Sequence, residues 1–299
     1  GEGLERAPFR SPFERRGFVP FQPEKIRLTA GTEAETFPII SGFVGGDTAA
    51  AILASGLDIS GKRILMIDFG TNGEIVLSNR GKLTATSTAA GPAFEGVGMK
   101  SGMPALTGAV ERIADDGLAE VIGGCEAAGF CGSGYISAIA WLLKTGKLNR
   151  SGLLNKDALG IRQWQILDSP ENSPIIDQDD IRKFQLAKGA VAAGVTILLE
   201  DAGLRTNDLD EVIITGSFGN RIDPAAGVEI GLLPDIDIGR IKYIDNAAGR
   251  GAAMCLGNDR FRKRALGIQK QVRTVNLGEH NRFHDVFIEN MALRREPQG

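Results

Sequence analysis

One glycine-rich turn carries the residue types best suited to chemistry. It reads DFGTNGE at residues 68–74 and follows an apolar run. Gly70 and Gly73 let backbone N–H groups converge without side-chain obstruction, which is how a chain cradles phosphate oxygens. The Thr71 hydroxyl adds a donor, and Asp68 is suited to hold a hydrated magnesium ion beside the phosphates. A plain Asn-Gly hairpin with a solvated Asp68 is the alternative, and this motif alone decides for neither.

Further glycine turns stand where strands are expected to meet helices. Gly132 and Ser133 open a predicted helix, and the turn GSFGN at residues 216–220 follows an apolar strand. Helix N-termini favour anions, so a polyphosphate ligand could draw donors from several such turns, and residues 216–220 could contact an adenosine. Each turn alone is weak evidence. Neither the dinucleotide fingerprint in its strand–helix context nor a Walker sequence occurs.

The elements that must position these turns are an antiparallel meander followed by alternating helices and strands. Glycine turns separate the three short strands of the meander, and acidic capping residues precede a long helix. The run at residues 245–253 enters a helix with a small-residue face, which lets another helix approach closely. The predicted strands are 36–40, 64–67, 74–77, 83–86, 211–215 and 241–244, and the predicted helices are 48–55, 135–144, 177–203 and one entered at 245–253.

Composition excludes several classes of function. The 34 basic and 37 acidic residues give a net charge of -3 with no basic stripe, so nucleic acid is not an expected partner. The longest aliphatic stretch, residues 190–199, is half the roughly 20 residues that span a bilayer, and no signal-peptide pattern precedes it. We therefore expect a cytoplasmic protein with no membrane contact. The 3 cysteines contain no C-x-x-C pair, which excludes a four-thiolate zinc or iron–sulfur site in one chain.

Two smaller patterns are given structural interpretations. His280 and His284 have H-x-x-x-H spacing but lack an evident third ligand, so a surface helix is preferred over a metal site. Cys125 and Cys131 are interpreted as small buried hydrophobes rather than as a redox pair.

Taken in order, the motifs closely resemble the C-terminal ATPase domain of the reductive activators of corrinoid proteins (RACo-like). This family belongs to the ASKHA superfamily of acetate kinase, sugar kinases, Hsp70 and actin. The resemblance runs from about Ser41 to Asn290, and residues 3–9 resemble the tail of the family's preceding region. The motifs that carry it are DFGTNGE at 68–74, AAGPAFEG at 89–96, CGSG at 131–134, GSFGN at 216–220 and NAAG at 246–249.

The resemblance implies a fold and a domain division. The fold is α/β: an actin-like ATPase (ribonuclease H-like) lobe with a three-stranded antiparallel meander, parallel strands and flanking helices. Residues 60–299 would form the ASKHA ATPase domain. Residues 1–59 would be the tail of the middle or first-lobe region and would include a connector helix. The helices at Gly45 and Gly249 resemble the two interdomain connectors, and their small residues suit a hinge.

The resemblance also implies a nucleotide site for ATP or ADP with Mg²⁺. Residues 68–74 would be the second phosphate motif, with Asp68 as a catalytic residue that holds Mg²⁺ through water, and residues 216–220 would be the adenosine motif. Glu95 is a candidate for orienting water or metal, although a surface or helix-start carboxylate is an equally good interpretation. The expected nucleotide-binding residues are Gly70, Thr71, Asn72, Gly73, Glu74, Gly91, Pro92, Gly132, Ser133, Gly216, Ser217, Phe218, Gly219 and Asn220.

Two parts of the family pattern are missing from these 299 residues. They are the upstream lobe with the first phosphate hairpin and the iron–sulfur ferredoxin domain, where the family's cluster would lie. The chain starts at Gly1 rather than Met, so we expect a piece of a longer protein, with an artificial first residue as the alternative. ATP hydrolysis is expected of the complete protein, and weak or no hydrolysis of this piece.

The implied function is ATP-dependent reactivation of a corrinoid protein of a methyltransferase system, from Co(II) to Co(I). Two alternatives stay open. The chain could be a docking or dimerisation lobe that binds the corrinoid protein or a second copy, or it could be part of a small-molecule kinase of the same superfamily.

Overall fold

The computed structural model describes residues 16–21, 33–157, 160–166, 173–216 and 222–293. The described strands, β1 to β13 in chain order, are Val19–Phe21, Ala34–Thr36, Arg63–Phe69, Gly73–Asn79, Lys82–Thr88, Ala109–Ile113, Ala119–Val121, Gly129–Phe130, Gln163–Gln165, Ile175–Asp177, Glu211–Thr215, Ile241–Tyr243 and Arg273–Thr274. The described helices, α1 to α7, are Gly46–Ser55, Gly132–Lys144, Gln178–Asp201, Pro224–Glu229, Ala247–Leu256, Asp259–Gln271 and Phe283–Glu289.

A six-stranded sheet with the order β12-β11-β3-β4-β5-β13 forms the centre of the fold. Strands β3, β4 and β5 are antiparallel neighbours, whereas β11 runs parallel to both β3 and β12. The predicted meander is therefore confirmed. Its second turn places Arg80 and Gly81 at φ values of 54° and 86°, the left-handed backbone that suits a tight hairpin between twisted strands.

Helices cover both faces of this sheet because side chains alternate along its strands. Ile64 and Met66 of β3 pack with residues of α1, α5 and α6. Leu65 and Ile67 point to the opposite face and pack with residues of α2 and α3. The predicted α/β fold class, with a meander, parallel strands and flanking helices, is confirmed. No helix of the described ranges is long and apolar enough to cross a membrane.

Two helix predictions are confirmed by specific contacts. A Cβ on Gly251 of α5 would lie 2.0 Å from the carbonyl oxygen of Ala50 in α1, so the small-residue face does bring two helices together. Helix α3 begins with a capping box, in which the Asp177 side chain accepts from the Asp180 amide and the Asp180 side chain accepts from the Asp177 amide. This cap satisfies amides that the first turn of a helix leaves unpaired.

Other predictions need correction. Strand β2 ends at Thr36 rather than continuing through residue 40, and α2 starts at Gly132, three residues before the predicted start. The cause of the early start is tertiary packing: a Cβ on Gly134 would lie 2.0 Å from the carbonyl oxygen of Val110, so the glycines form the first helical turn against β6. Cys125 is exposed, contrary to the expectation that it is buried. Most of the N-terminal segment, and the turn at residues 217–220, lie outside the described residues.

Candidate functional site

A cavity of about 700 Å³ opens where β3 and β11 end. The carboxyl ends of neighbouring parallel strands are where open α/β sheets generally bind ligands. The volume lies within the range of roughly 300–1,000 Å³ that is usual for small-molecule sites. The described residues that line this cleft are Asp47, Asp68, Phe69, Gly70, Thr71, Asn72, Glu74, Thr215, Gly216, Asp245, Asn246, Ala247 and Ala248.

Strand register places the central polar residues in one row. Asp68 pairs with Thr215 on the parallel strand and with Glu74 on the antiparallel strand. The next residue, Gly216, has a φ of +102°. A Cβ there would lie 2.2 Å from the carbonyl oxygen of Phe69, so only glycine allows this close approach.

Some of the predicted hairpin residues stabilise the turn, whereas others line the cleft. The Gly70 amide donates to the Asn72 carbonyl at 3.0 Å, so it serves the turn rather than a ligand. Gly73 is buried, and a Cβ there would lie 3.0 Å from Thr88 Oγ1. Thr71 and Asn72 are exposed and line the cleft. At the tip of the hairpin, the polar side chains that border the cleft are therefore those of Thr71 and Asn72.

Two helices begin at the cleft. Asp47 lies in the first turn of α1, and Ala247 and Ala248 are the first two residues of α5. The residue before α5, Asn246, has a φ of 45°, and its side chain caps the helix by accepting from the Gly249 amide at 3.0 Å. The partial positive charge of a helix N-terminus favours an anion in this position.

The cleft is acidic. Asp47, Asp68, Glu74 and Asp245 line it, and none of its described lining residues is basic. Burial and, to a smaller extent, the negative charge of Asp47 raise the pKa of Asp68 to about 6. Burial, followed by the charges of Asp47 and Asp68, raises the pKa of Glu74 to about 7, although a hydrogen bond from Ser87 opposes the shift. These carboxylates thus repel one another in the free cleft.

A hydrated divalent cation fits this set of oxygen donors. Mg²⁺ usually keeps several waters and takes one or two carboxylates together with phosphate oxygens. Across the described residues, no group of three His, Cys, Asp or Glu side chains is arranged to hold a metal ion. The carboxylates of Asp68 and Glu74 fit such a hydrated ion, to which a ligand would supply further oxygens.

The remaining predicted residues lie apart from the cleft lining or outside the described residues. Gly91, with a φ of 72°, and Pro92 shape the short 3₁₀ turn that ends at Glu95. The Glu95 carboxylate accepts a hydrogen bond from Thr71 Oγ1 at 2.8 Å, which places it at the edge of the cleft. Gly132 and Ser133 are buried at the start of α2 and do not line the cleft. Residues 217–220 lie outside the described residues.

Four polar residues of the cleft lining were missed from the sequence: Asp47, Thr215, Asp245 and Asn246. Thr215 and Asp245 follow the apolar stretches of two parallel strands, a position that could have indicated them. Asp47 follows two glycines at the start of α1, a weak signal by itself. Their convergence depends on tertiary packing.

Residues 62–298 match the family model described as the C-terminal domain of RACo, the ASKHA domain. The chain is 38% identical over 275 residues to the corrinoid activation enzyme RamQ of Eubacterium limosum, a match that covers 85% of this chain and 46% of that protein. It is 28% identical over 226 residues to the Co(II) methylated amine-specific corrinoid protein reductase of Methanosarcina barkeri, covering 66% of this chain and 39% of that protein.

A solved structure of a reductive activator for corrinoid, iron-sulfur protein is similar with a TM-score of 0.86 and 32% sequence identity. The match covers 97% of this chain and 49% of that one. The chain thus spans about half the length of the relatives it matches.

Proposed function

The chain belongs to the family of the C-terminal ASKHA domain of RACo, and on this premise we propose that its cleft binds ATP or ADP with Mg²⁺. We further propose that it is the ATP-binding part of a reductive activator of a corrinoid protein. This second statement concerns the whole protein, of which the chain spans about half by comparison with its relatives.

The arrangement of charges in the cleft is the observation that carries the nucleotide proposal. Thr71, Asn72 and the N-terminus of α5 line the same space as Asp68 and Glu74. The donors and the helix dipole favour phosphate, whereas the carboxylates favour a cation. A metal–polyphosphate ligand satisfies both sets, but a free anion meets the repulsion of the carboxylates.

Each residue set has a defined task in this proposal. Thr71 and Asn72 bind phosphate oxygens, and Asp68 and Glu74 accept hydrogen bonds from the water shell of Mg²⁺. Bound Mg²⁺ would neutralise phosphate charge, as it does in other phosphoryl-transfer sites. Gly216 itself lies close to the end of β3, and the proposed adenosine contact belongs to residues 216–220.

The proposed role in activating a corrinoid protein is supported by the names of the relatives. Two of them are an activation enzyme and a reductase for corrinoid proteins, and a third is an activator for a corrinoid, iron-sulfur protein. We propose that the complete protein uses ATP to support the return of a corrinoid protein from Co(II) to Co(I) in the cytoplasm. We also propose that the complete protein hydrolyses ATP and forms a homodimer. The same proposal places an iron–sulfur electron carrier outside these residues. We also propose the division into residues 1–59 and 60–299, for which the start of the family match at residue 62 is the support.

Isothermal titration with Mg-ATP tests the nucleotide site. Wild type is compared with Asp68→Ala and with Asp116→Ala, which also removes one carboxylate but lies on an exposed turn outside the cleft. We expect Asp68→Ala to lose most of the affinity and Asp116→Ala to keep it. Equal affinity in all three proteins would remove the hairpin from the site.

A pull-down with a corrinoid protein, with and without Mg-ATP, tests the partner. We expect capture that depends on nucleotide. If the chain binds no nucleotide and captures the corrinoid protein equally well with and without Mg-ATP, the docking-lobe alternative would be favoured instead.

A further inference from the structure

The hydroxyl proton at the tip of the hairpin already has an acceptor. Thr71 Oγ1 donates to Glu95 Oε1 at 2.8 Å. A threonine hydroxyl has a single proton, and an ionised carboxylate can only accept hydrogen bonds. While this bond is intact, the Thr71 hydroxyl cannot donate to a phosphate oxygen in the cleft that it lines.

Packing, rather than the bond to Thr71, fixes the position of Glu95. The preceding residue, Phe94, is buried and makes edge-to-face contacts with Phe69 and Phe184, each with ring centroids 5.7 Å apart. Phe69 is the last residue of β3 and lines the cleft, and Phe184 lies on α3. The aromatic row therefore holds the Glu95 backbone beside the hairpin whether or not Thr71 donates to it.

The chain after Glu95 is anchored to the start of α3. Lys183 Nζ donates to the Gly98 carbonyl at 2.6 Å, and the Lys100 amide donates to Asp180 Oδ1 at 2.8 Å. Asp180 is only 1% exposed. A Cβ on Gly102 would lie 1.7 Å from the carbonyl oxygen of Gly96, so the loop also closes tightly on itself. Glu95 thus stands on a braced turn and cannot readily move away with the hairpin.

We propose that Glu95 is a positioning residue that competes with the nucleotide phosphate for the Thr71 hydroxyl. In the free protein it holds the hydroxyl away from the cleft, and a phosphate group must displace it before Thr71 can donate to the ligand. The proposal rests on nucleotide binding in this cleft. It gives Glu95 control of affinity through Thr71, a different role from orienting water or metal.

A double-mutant cycle measured by titration with Mg-ATP separates this competition from other effects. The proteins are wild type, Glu95→Ala, Thr71→Val and the double variant. Releasing this solvent-exposed hydrogen bond is expected to raise the affinity of Glu95→Ala by about two- to tenfold. Thr71→Val is expected to bind more weakly than wild type, and Glu95→Ala is expected to add no affinity in that background. Glu126→Ala removes an exposed glutamate outside the cleft and is expected to match wild type.

The outcomes distinguish this proposal from the proposed function. Wild type that binds no Mg-ATP overturns the proposed function itself. If wild type binds but Glu95→Ala binds equally or more weakly, the competition is refuted and the nucleotide site stands. An equal gain from Glu95→Ala with and without the Thr71 hydroxyl would mean that charge repulsion alone acts, which also refutes the competition. Wild-type affinity in Thr71→Val would refute it as well.

Discussion

A glycine-to-alanine substitution is expected to destabilise the protein at the crossing of α1 and α5 and to stabilise it at an uncrowded helix position. A Cβ on Gly251 would lie 2.0 Å from the carbonyl oxygen of Ala50, whereas ordinary contact begins at 3.4 Å, so Gly251→Ala requires the helices to part by about 1.4 Å. Overpacking of this kind costs about 1–3 kcal/mol. Alanine recovers about 0.5–1 kcal/mol through its better helix propensity. We therefore expect a net loss of stability of about 1 kcal/mol, and at most about 2.5 kcal/mol.

Gly267→Ala is the matched control. Gly267 lies within α6, and a Cβ there would meet nothing within 4 Å. Only the better helix propensity of alanine acts at this position, so we expect the free energy of unfolding of this variant to rise by about 0.5–1 kcal/mol. Urea denaturation of wild type and both variants gives the comparison, provided that the m-values agree.

The crossing also bears on the cleft, because α1 and α5 both begin there. Parting the helices moves Asp47 relative to Ala247, so we expect Mg-ATP to bind Gly251→Ala more weakly than Gly267→Ala. A Gly251→Ala protein as stable as wild type, or a shift of the same sign in both variants, would refute this account of the crossing.

Three further predictions concern pH, helix packing and capping. Because the pKa of Glu74 rises from 4.5 to about 7 on folding, the folded state holds a proton that the unfolded state releases, and stability from this group falls as pH rises across that window. Urea midpoints from pH 5 to pH 8 should fall less steeply in Glu74→Gln, and identical slopes would contradict the raised pKa of Glu74. Gly134→Ala should lower the free energy of unfolding by about 1–3 kcal/mol, because the new Cβ would lie 2.0 Å from the Val110 carbonyl oxygen. An unchanged urea midpoint would count against the close contact between α2 and β6. Asp177→Ala removes the capping side chain of α3 and should lower the free energy of unfolding by about 1 kcal/mol. Asp179→Ala, at the exposed neighbouring position, is the control in urea denaturation. An equal loss of stability in both variants would contradict a stabilising role of the Asp177 cap.

Local chemistry made much of the fold predictable from the sequence. The meander follows from apolar runs separated by glycine turns, and the start of α3 follows from Asp177 and Asp180. The early start of α2 could not be read in this way, because Gly134 is required by the backbone of Val110 on another element. A glycine needed for tertiary packing looks the same in sequence as one needed for a turn.

The cleft was only partly predictable for a related reason. Asp68 and Thr71 share one hairpin, so a single motif indicates both. Asp47 and Asp245 reach the same cleft from distant segments through the crossing of α1 and α5 and through the parallel pairing of β11 with β12. Periodicity and turn patterns carry no signal for such a convergence.

Titration of the wild-type chain with ATP, in excess Mg²⁺ and separately in EDTA, tests the central claim most directly. Four carboxylates and no basic side chain line the described part of the cleft, so the account predicts binding with Mg²⁺ and none that can be measured in EDTA. Equal affinity for metal-free ATP, or no binding in either condition, would contradict it.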